Sequence, residues 1–83
     1  MKYEQEIREI IGNIMVTIPV DKIKLDTPLL NEGMDSIMFV KIILAIEKRY
    51  GIEFPDEKMI ITRCGTIREF CKTVLSAVGQ SGV

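Results

Sequence analysis

Residues 33–51 decide the fold of this chain, and they read GMDSIMFVKIILAIEKRYG. Apolar side chains recur in this stretch at spacings of three and four, the period of an amphipathic helix. The pattern predicts a helix over Ile37–Tyr50, with Asp35 and Ser36 at its start and Gly51 as a left-handed cap at its end. We expect its buried stripe to be Phe39, Ile42, Ile43, Ile46 and Tyr50. A helix this apolar must pack against other elements.

The same helix carries more apolar side chains than one buried stripe uses. The additional residues fall largely on another face, and they are Ile37, Met38, Val40 and Leu44. Two interpretations stay open: they are further core of a tightly packed bundle, or they form an exposed docking surface for a partner. Met34 and Met38 flank Ser36, and flexible thioethers suit a filler under the loop as well as a surface that meets several partners.

The residues before this stretch predict a first helix and a long loop. Isoleucines recur at helical spacing from Tyr3 to Ile18. This helix should end before Pro19, because the residue that precedes a proline is pushed out of the helical region. Residues 17–35 follow no single period and contain two prolines and one glycine. A loop this long in a small domain is usually functional.

The residues after Gly51 predict a short third helix and a longer last helix. Asp56 is a candidate N-cap for a helix over residues 57–61. Thr66 and Glu69 form a capping box, and Gly79 should end the last helix. The expected buried face of that helix is Ile67, Phe70, Cys71, Val74, Leu75 and Val78. No strand pattern appears, so we predict an all-α fold: a four-helix bundle in one domain, residues 1–83, with a frayed tail from about Gly79.

Composition excludes several classes of function. With 83 residues, 47% of them hydrophobic, the chain has the size of one small domain. A net charge of -1 gives no basic field for nucleic acid. The chain begins without the apolar stretch of a signal peptide, and no uncharged run approaches the roughly 20 residues that span a membrane. We therefore expect a cytoplasmic protein, with Cys64 and Cys71 as ordinary reduced thiols.

The polar residues do not form a recognisable catalytic or metal site. The chain has no histidine, the commonest base for a serine nucleophile. Met38 breaks the Gly-x-Ser-x-Gly pattern around Ser36, and a serine–lysine pair with Lys41 or Lys48 has no supporting motif. The acids in and beside the first loop do not follow the spacing of a calcium loop; they are Asp21, Asp26, Glu32 and Asp35. We predict that the protein is not an enzyme.

The residues alone leave two interpretations of the role of Ser36 open. It can share with Asp35 the task of capping the second helix, a common use of both residue types. Alternatively, Gly33 allows a tight turn that leaves Ser36 exposed at a helix N-terminus, where backbone amides and the helix dipole favour an anionic phosphate ester. Such a position suits the attachment of a phosphate.

The sequence resembles the acyl and peptidyl carrier protein family. The likeness is carried by Gly33-Met34-Asp35-Ser36-Ile37 and by residues 45–57, which read AIEKRYGIEFPDE, and it extends to the Thr-Ile-x-x-Phe start of the last helix. The resemblance implies that a phosphopantetheinyl transferase moves 4'-phosphopantetheine from coenzyme A onto Ser36, next to the acid Asp35. The cargo is then held as a thioester and presented to other enzymes.

The resemblance also implies which partners the protein meets. They are an acyl- or aminoacyl-loading enzyme and downstream synthase, tailoring or thioesterase enzymes. We expect the carrier to be a free-standing monomer that binds neither nucleic acid nor a membrane. The expected partner surface is Met34, Ile37, Met38, Val40, Lys41, Leu44 and Lys48.

Departures from the family pattern bear on the pathway. Fatty-acid carriers bear several acids along the second helix, where this chain has Met38, Lys41, Lys48 and Arg49. Carriers of amino acids often have a small residue or histidine where this chain has Asp35. We expect a specialised pathway of secondary metabolism, of polyketide, nonribosomal peptide or mixed type. Two alternatives stay open: a primary fatty-acid acyl carrier protein, and a helical interaction module in which Ser36 is only a cap.

Overall fold

The computed structural model describes residues 1–81, and within them the chain is helical and has no strand. The helices are α1 (Glu4–Ile14), α2 (Ser36–Tyr50), α3 (Ile61–Cys64) and α4 (Ile67–Ser81). Short 3-10 turns lie at Val20–Lys22, Leu29–Glu32 and Asp56–Lys58. The predicted all-α bundle with a long first loop and a short third helix is confirmed. Within residues 1–81, no helix combines the length and the apolar character that crossing a membrane requires.

The core lies where α1, α2 and α4 contact one another. From α2 it takes Phe39, Ile42, Ile43 and Ile46, as the periodicity predicted, and Gly51 ends the helix with a φ of 65°. The rings of Phe39 and Phe54 both pack against Phe70 of α4, with centroids 6.0 and 6.3 Å from it. The buried stripe of α2 therefore forms the middle of the hydrophobic core.

Tyr50 joins the end of α2 to α1. Its hydroxyl donates a hydrogen bond to the Glu6 carboxylate, and its ring meets the edge of Tyr3 at a centroid distance of 5.2 Å. Burial raises the pKa of Tyr50 above its usual value, and the bond to Glu6 adds to this shift. Tyr50 is half-buried and packs against the core, as the sequence predicted.

Helix α1 is shorter than predicted. It ends at Ile14, and Met15 leaves the helical region with φ −101° and ψ 70°, so the predicted continuation to just before Pro19 is wrong. Residues 16–18 are all β-branched, which lowers their helix propensity ahead of the proline. Met15 is buried, and Ile18 packs against the core from a turn. The helical spacing of these apolar residues therefore predicted their burial correctly, although they do not lie in a helix.

The first loop is fixed to the bundle from two sides. Arg8 of α1 donates from Nη1 to the backbone oxygens of Val20 and Ile23, at 2.6 and 2.7 Å. On the other side, the Leu29 N–H donates a hydrogen bond to the Gly65 carbonyl, with a length of 2.9 Å. The Arg68 N–H donates a second one to the carbonyl of Leu25 in the loop, with a length of 3.0 Å. The long loop is therefore an ordered part of the structure.

The third element differs from the prediction. Residues 56–58 form a 3-10 turn without a side-chain cap, so the helix predicted over residues 57–61 with Asp56 as N-cap is wrong. Ile60 is extended, and the short helix α3 begins only at Ile61. The extended residue turns Cys64 into the core, where it is 7% exposed. Tertiary burial of Cys64 thus outweighs the local cap signal.

Helix α4 begins as predicted, but only one of the two hydrogen bonds of the predicted capping box is present. The Glu69 N–H donates to Thr66 Oγ1 at 3.1 Å, which is half of the capping box. The Glu69 carboxylate contacts the ammonium groups of Lys58 and Lys72 at 3.5 and 3.4 Å instead of reaching back to Thr66. Leu75 is 38% exposed, so its predicted burial is wrong, because it lies at the edge of the buried stripe.

The C-terminal end of α4 also differs from the prediction. The helix continues past Gly79 to Ser81, so the predicted stop at Gly79 is wrong. Among the glycines in the described part of the chain, only Gly33 and Gly51 have positive φ, so Gly79 does not form a left-handed cap. The remainder of the predicted frayed tail, residues 82–83, lies outside the described residues.

Replacing Ile46 with alanine should lower the free energy of unfolding by about 2 to 5 kcal/mol, because the side chain is completely buried and its loss leaves a cavity. The matched control is Leu44→Ala on the same helix, at a position that is 57% exposed. It should cost less than about 1 kcal/mol. Urea denaturation of both variants measures the difference. Equal losses would show that the faces of α2 are assigned wrongly.

Candidate functional site

The loop turns sharply just before α2 and is anchored there. Gly33 has a φ of 99°, a left-handed conformation that glycine adopts without steric cost. The next residue, Met34, donates its N–H to the Leu29 carbonyl at 3.0 Å, and its side chain is 3% exposed. This bond and this burial fix the chain two residues before Ser36. The start of α2 is therefore held in place by the loop as well as by the helix.

Asp35 is the N-cap of α2. Its backbone is extended, and its carboxylate Oδ1 accepts a hydrogen bond from the Met38 N–H at 2.8 Å. Ser36 is the first residue of the helix itself. The sequence left open which of the two residues caps the helix, and in the structure Asp35 does so.

The Ser36 hydroxyl is consequently available for chemistry. The residue is exposed, and its side chain has no hydrogen-bond partner among the residues that the structure describes. It lies at the N-terminus of a 15-residue helix, where unpaired backbone N–H groups and the helix dipole favour a negative charge. An anionic phosphodiester on Ser36 Oγ would therefore meet a favourable electrostatic environment.

Gly65 packs against the loop residue Met34, two positions before Ser36, and no pattern in the sequence predicted this contact. A Cβ at this position would lie 2.6 Å from the Ile61 carbonyl oxygen and 2.8 Å from Met34 Cε. Only glycine lets Met34 pack at this distance while the Gly65 carbonyl accepts from Leu29. The one signal in the sequence was an isolated glycine directly before the predicted cap Thr66.

The residues predicted to meet partners divide into two groups. Exposed on α2 are Ile37, Val40, Lys41, Leu44 and Lys48. Met38 is half-buried and packs against the core, and Met34 is buried. The structure thus favours the filler interpretation for Met34, because the turn at Gly33 directs its side chain inward, and it removes Met34 from the exposed surface.

The acids of the first loop do not converge. Asp26 forms a two-point ion pair with Arg68, with distances of 2.6 and 3.1 Å. The hydrogen bonds from Arg68 hold the pKa of Asp26 below its ordinary value. In the described part of the chain, no group of three or more acidic, cysteine or histidine side chains is placed to bind a metal ion. Asp26 therefore has a structural role, tying the loop to α4.

Comparisons with known proteins agree with this geometry. The family described as "Phosphopantetheine attachment site" matches residues 5–74. The chain is 33% identical to an acyl carrier protein of Campylobacter hominis over 64 residues, which cover 72% of this chain and 80% of the relative. It is also 35% identical over 79 residues to the nonribosomal peptide synthetase easA of Emericella nidulans, covering 94% of this chain but 1% of that protein. No solved structure matches the chain significantly.

The chain belongs to the phosphopantetheine attachment family, since the match extends over most of its length. It is a carrier domain of the acyl and peptidyl carrier type, a class that bears 4'-phosphopantetheine and is itself non-catalytic. The residues at the start of α2 fit this group, because an exposed hydroxyl without a protein partner lies at a helix N-terminus.

The cap assignment predicts which substitution affects stability. Asp35→Ala should cost about 0.5 to 2 kcal/mol of unfolding free energy, because the Met38 N–H loses its acceptor. Ser36→Ala, which removes no cap, should cost less than about 0.5 kcal/mol. Chemical denaturation of both variants, with Asp35→Asn as a control that keeps a capping oxygen, measures this. A larger loss for Ser36→Ala than for Asp35→Ala would contradict the assignment.

The packing around Gly65 predicts that alanine is tolerated much less well at this position than at Gly79. Gly65→Ala should lower the unfolding free energy by about 1 to 3 kcal/mol, because the new methyl group overlaps the backbone at Ile61. Gly79→Ala meets no atom within 4 Å and should be neutral or stabilising. Thermal denaturation compares the two, and a neutral Gly65→Ala would show that the position tolerates a side chain.

Proposed function

We propose that this protein carries acyl or aminoacyl intermediates as thioesters on a 4'-phosphopantetheine arm attached to Ser36. The observation that carries the proposal is the division of roles at the start of α2. Asp35 caps the helix through the Met38 N–H, and the Ser36 hydroxyl stays exposed without a hydrogen-bond partner among residues 1–81. This arrangement weakens the alternative of an interaction module in which Ser36 is only a cap.

Attachment requires a separate enzyme, a phosphopantetheinyl transferase. The Ser36 oxygen attacks the phosphorus of coenzyme A that bears the pantetheine, the pyrophosphate bond breaks, and adenosine 3',5'-bisphosphate leaves. The hydroxyl proton passes to a base on the transferase, because this chain has no histidine and its Asp35 carboxylate is engaged by Met38. The terminal thiol of the bound arm supplies the thioester chemistry.

The contribution of the bundle is presentation. The bond between Arg8 and the loop, and the packing of Met34 on Gly65, hold the residues before Ser36 in one arrangement. A fixed attachment point on a small bundle lets the arm reach the active sites of several enzymes in turn. We infer that these are a loading enzyme and downstream synthase, tailoring or thioesterase enzymes, and that the protein acts in the cytoplasm as a monomer in which residues 1–83 form one carrier domain.

We place the protein in a specialised pathway of polyketide, nonribosomal peptide or mixed type. The support is the basic character of α2, which bears Lys41, Lys48 and Arg49, together with the similarity to a nonribosomal peptide synthetase. The second candidate is a primary fatty-acid carrier, and the similarity to an acyl carrier protein favours it.

Incubation of the apo protein with coenzyme A and a broad-specificity phosphopantetheinyl transferase should add one phosphopantetheine group. Ser36→Ala should abolish the mass increase while leaving the circular dichroism spectrum unchanged. The matched controls Ser76→Ala and Ser81→Ala remove other serines and should be modified fully. Intact-protein mass spectrometry reads the result, and a mass increase that persists in Ser36→Ala would overturn the assignment.

A further inference from the structure

The side of α2 opposite the core forms a continuous exposed surface. Its residues follow helical spacings of three and four and are Ile37, Val40, Lys41, Leu44 and Lys48, which we call the outer face of α2. Ile37, Val40 and Leu44 are 67%, 51% and 57% exposed. A row of large aliphatic side chains exposed to this degree on one helix face is typical of a surface that contacts another molecule.

The outer face carries positive charge that the rest of α2 does not cancel. Glu47 is the single acid in the sequence of α2, and its carboxylate accepts a hydrogen bond from the Phe54 N–H at 2.7 Å. Lys41 and Lys48 are exposed and form no ion pair with any residue in the described range 1–81. The net charge of the whole chain is -1, so the charge of this face is opposite in sign to that of the chain as a whole.

The charge and size of the face select one kind of occupant. A second copy of the chain would place lysines against lysines, and like charges across an interface are unfavourable. An anionic membrane attracts clusters of roughly four to eight basic residues, and this face has two. An enzyme surface with an apolar centre bordered by carboxylates complements both the aliphatic row and the two lysines, and a small patch suits a contact that must dissociate.

We propose that the outer face of α2 selects partner enzymes whose docking surface is apolar at its centre and bordered by aspartate or glutamate. Ile37, Val40 and Leu44 supply the apolar contact, and Lys41 and Lys48 set the electrostatic preference. The proposal rests on the proposed carrier function, because it concerns the enzymes that act on the arm at Ser36.

A charge-swap experiment on the holo protein tests this preference. The probe is a fatty-acid pathway acyltransferase that docks carriers through a basic patch, used as such and in a form whose patch residues are replaced by glutamate. The carriers are the wild type, Lys41→Glu/Lys48→Glu, and the control Lys22→Glu/Lys24→Glu. The control changes the net charge equally through exposed lysines outside α2. Initial rates of acyl transfer are measured at low and at high salt.

At low salt, the wild type should react about 5-fold faster with the acidic form of the enzyme than with the basic form, and the Lys41→Glu/Lys48→Glu carrier should show the reverse preference. High salt should reduce both differences, because exposed charges are screened. The control should behave like the wild type. A control that reverses the preference as strongly, or a wild type that reacts equally with both enzyme forms, would overturn the proposal.

A separate variant tests the apolar part. Leu44→Gln should lower the rate with both enzyme forms at either salt concentration without lowering the free energy of unfolding, and an unchanged rate would contradict the apolar contact. Dimerisation through this face, or binding to anionic vesicles that Lys41→Glu/Lys48→Glu abolishes, would assign the face to another occupant. If Ser36 accepts no phosphopantetheine, the proposed function fails before this assay; if holo protein forms and charge has no effect, only the docking proposal fails.

Discussion

The hydrogen bond between the Met38 N–H and the Asp35 carboxylate, 2.8 Å long, organises the start of α2. A helix N-terminus requires acceptors for its first N–H groups, and serine and aspartate are both suited to this task. Because Asp35 supplies the acceptor, Ser36 becomes the first residue of the helix and its hydroxyl is left to the surface. The division separates stability, which depends on Asp35, from the proposed attachment chemistry, which depends on Ser36.

The rest of the bundle keeps this arrangement in place. Arg8 fixes the first loop to α1, and Leu29 and Met34 fix it to the junction of α3 and α4 at Gly65. Helix α2 has two apolar faces that differ in their exposure to solvent. One face is buried around Ile46, while the other stays exposed. Stability and the proposed partner contact can therefore change independently along one helix.

The sequence predicted the parts of this structure that depend on local patterns. The period of α2, its glycine cap and the buried face of α4 apart from Leu75 follow from residue types and side-chain spacing. The proposal that Ser36 carries the arm comes from the family resemblance. The failures arise where tertiary packing outweighs a local signal. Ile18 kept the helical spacing although α1 had ended, and Asp56 offered a cap to a helix that burial of Cys64 displaced. Spacing alone also could not distinguish core from outer face, which needed the position of α2 in the bundle.

The most direct measurement is the location of the arm on the protein isolated from the cells that make it. Trypsin cleaves after Lys24 and Lys41, and the resulting peptide, residues 25–41, contains Ser36 as its single serine. Tandem mass spectrometry should find phosphopantetheine on this peptide and assign it to Ser36. A phosphopantetheine on any other residue, or a chain in which Ser36 is never modified in cells that modify other carriers, would contradict the account.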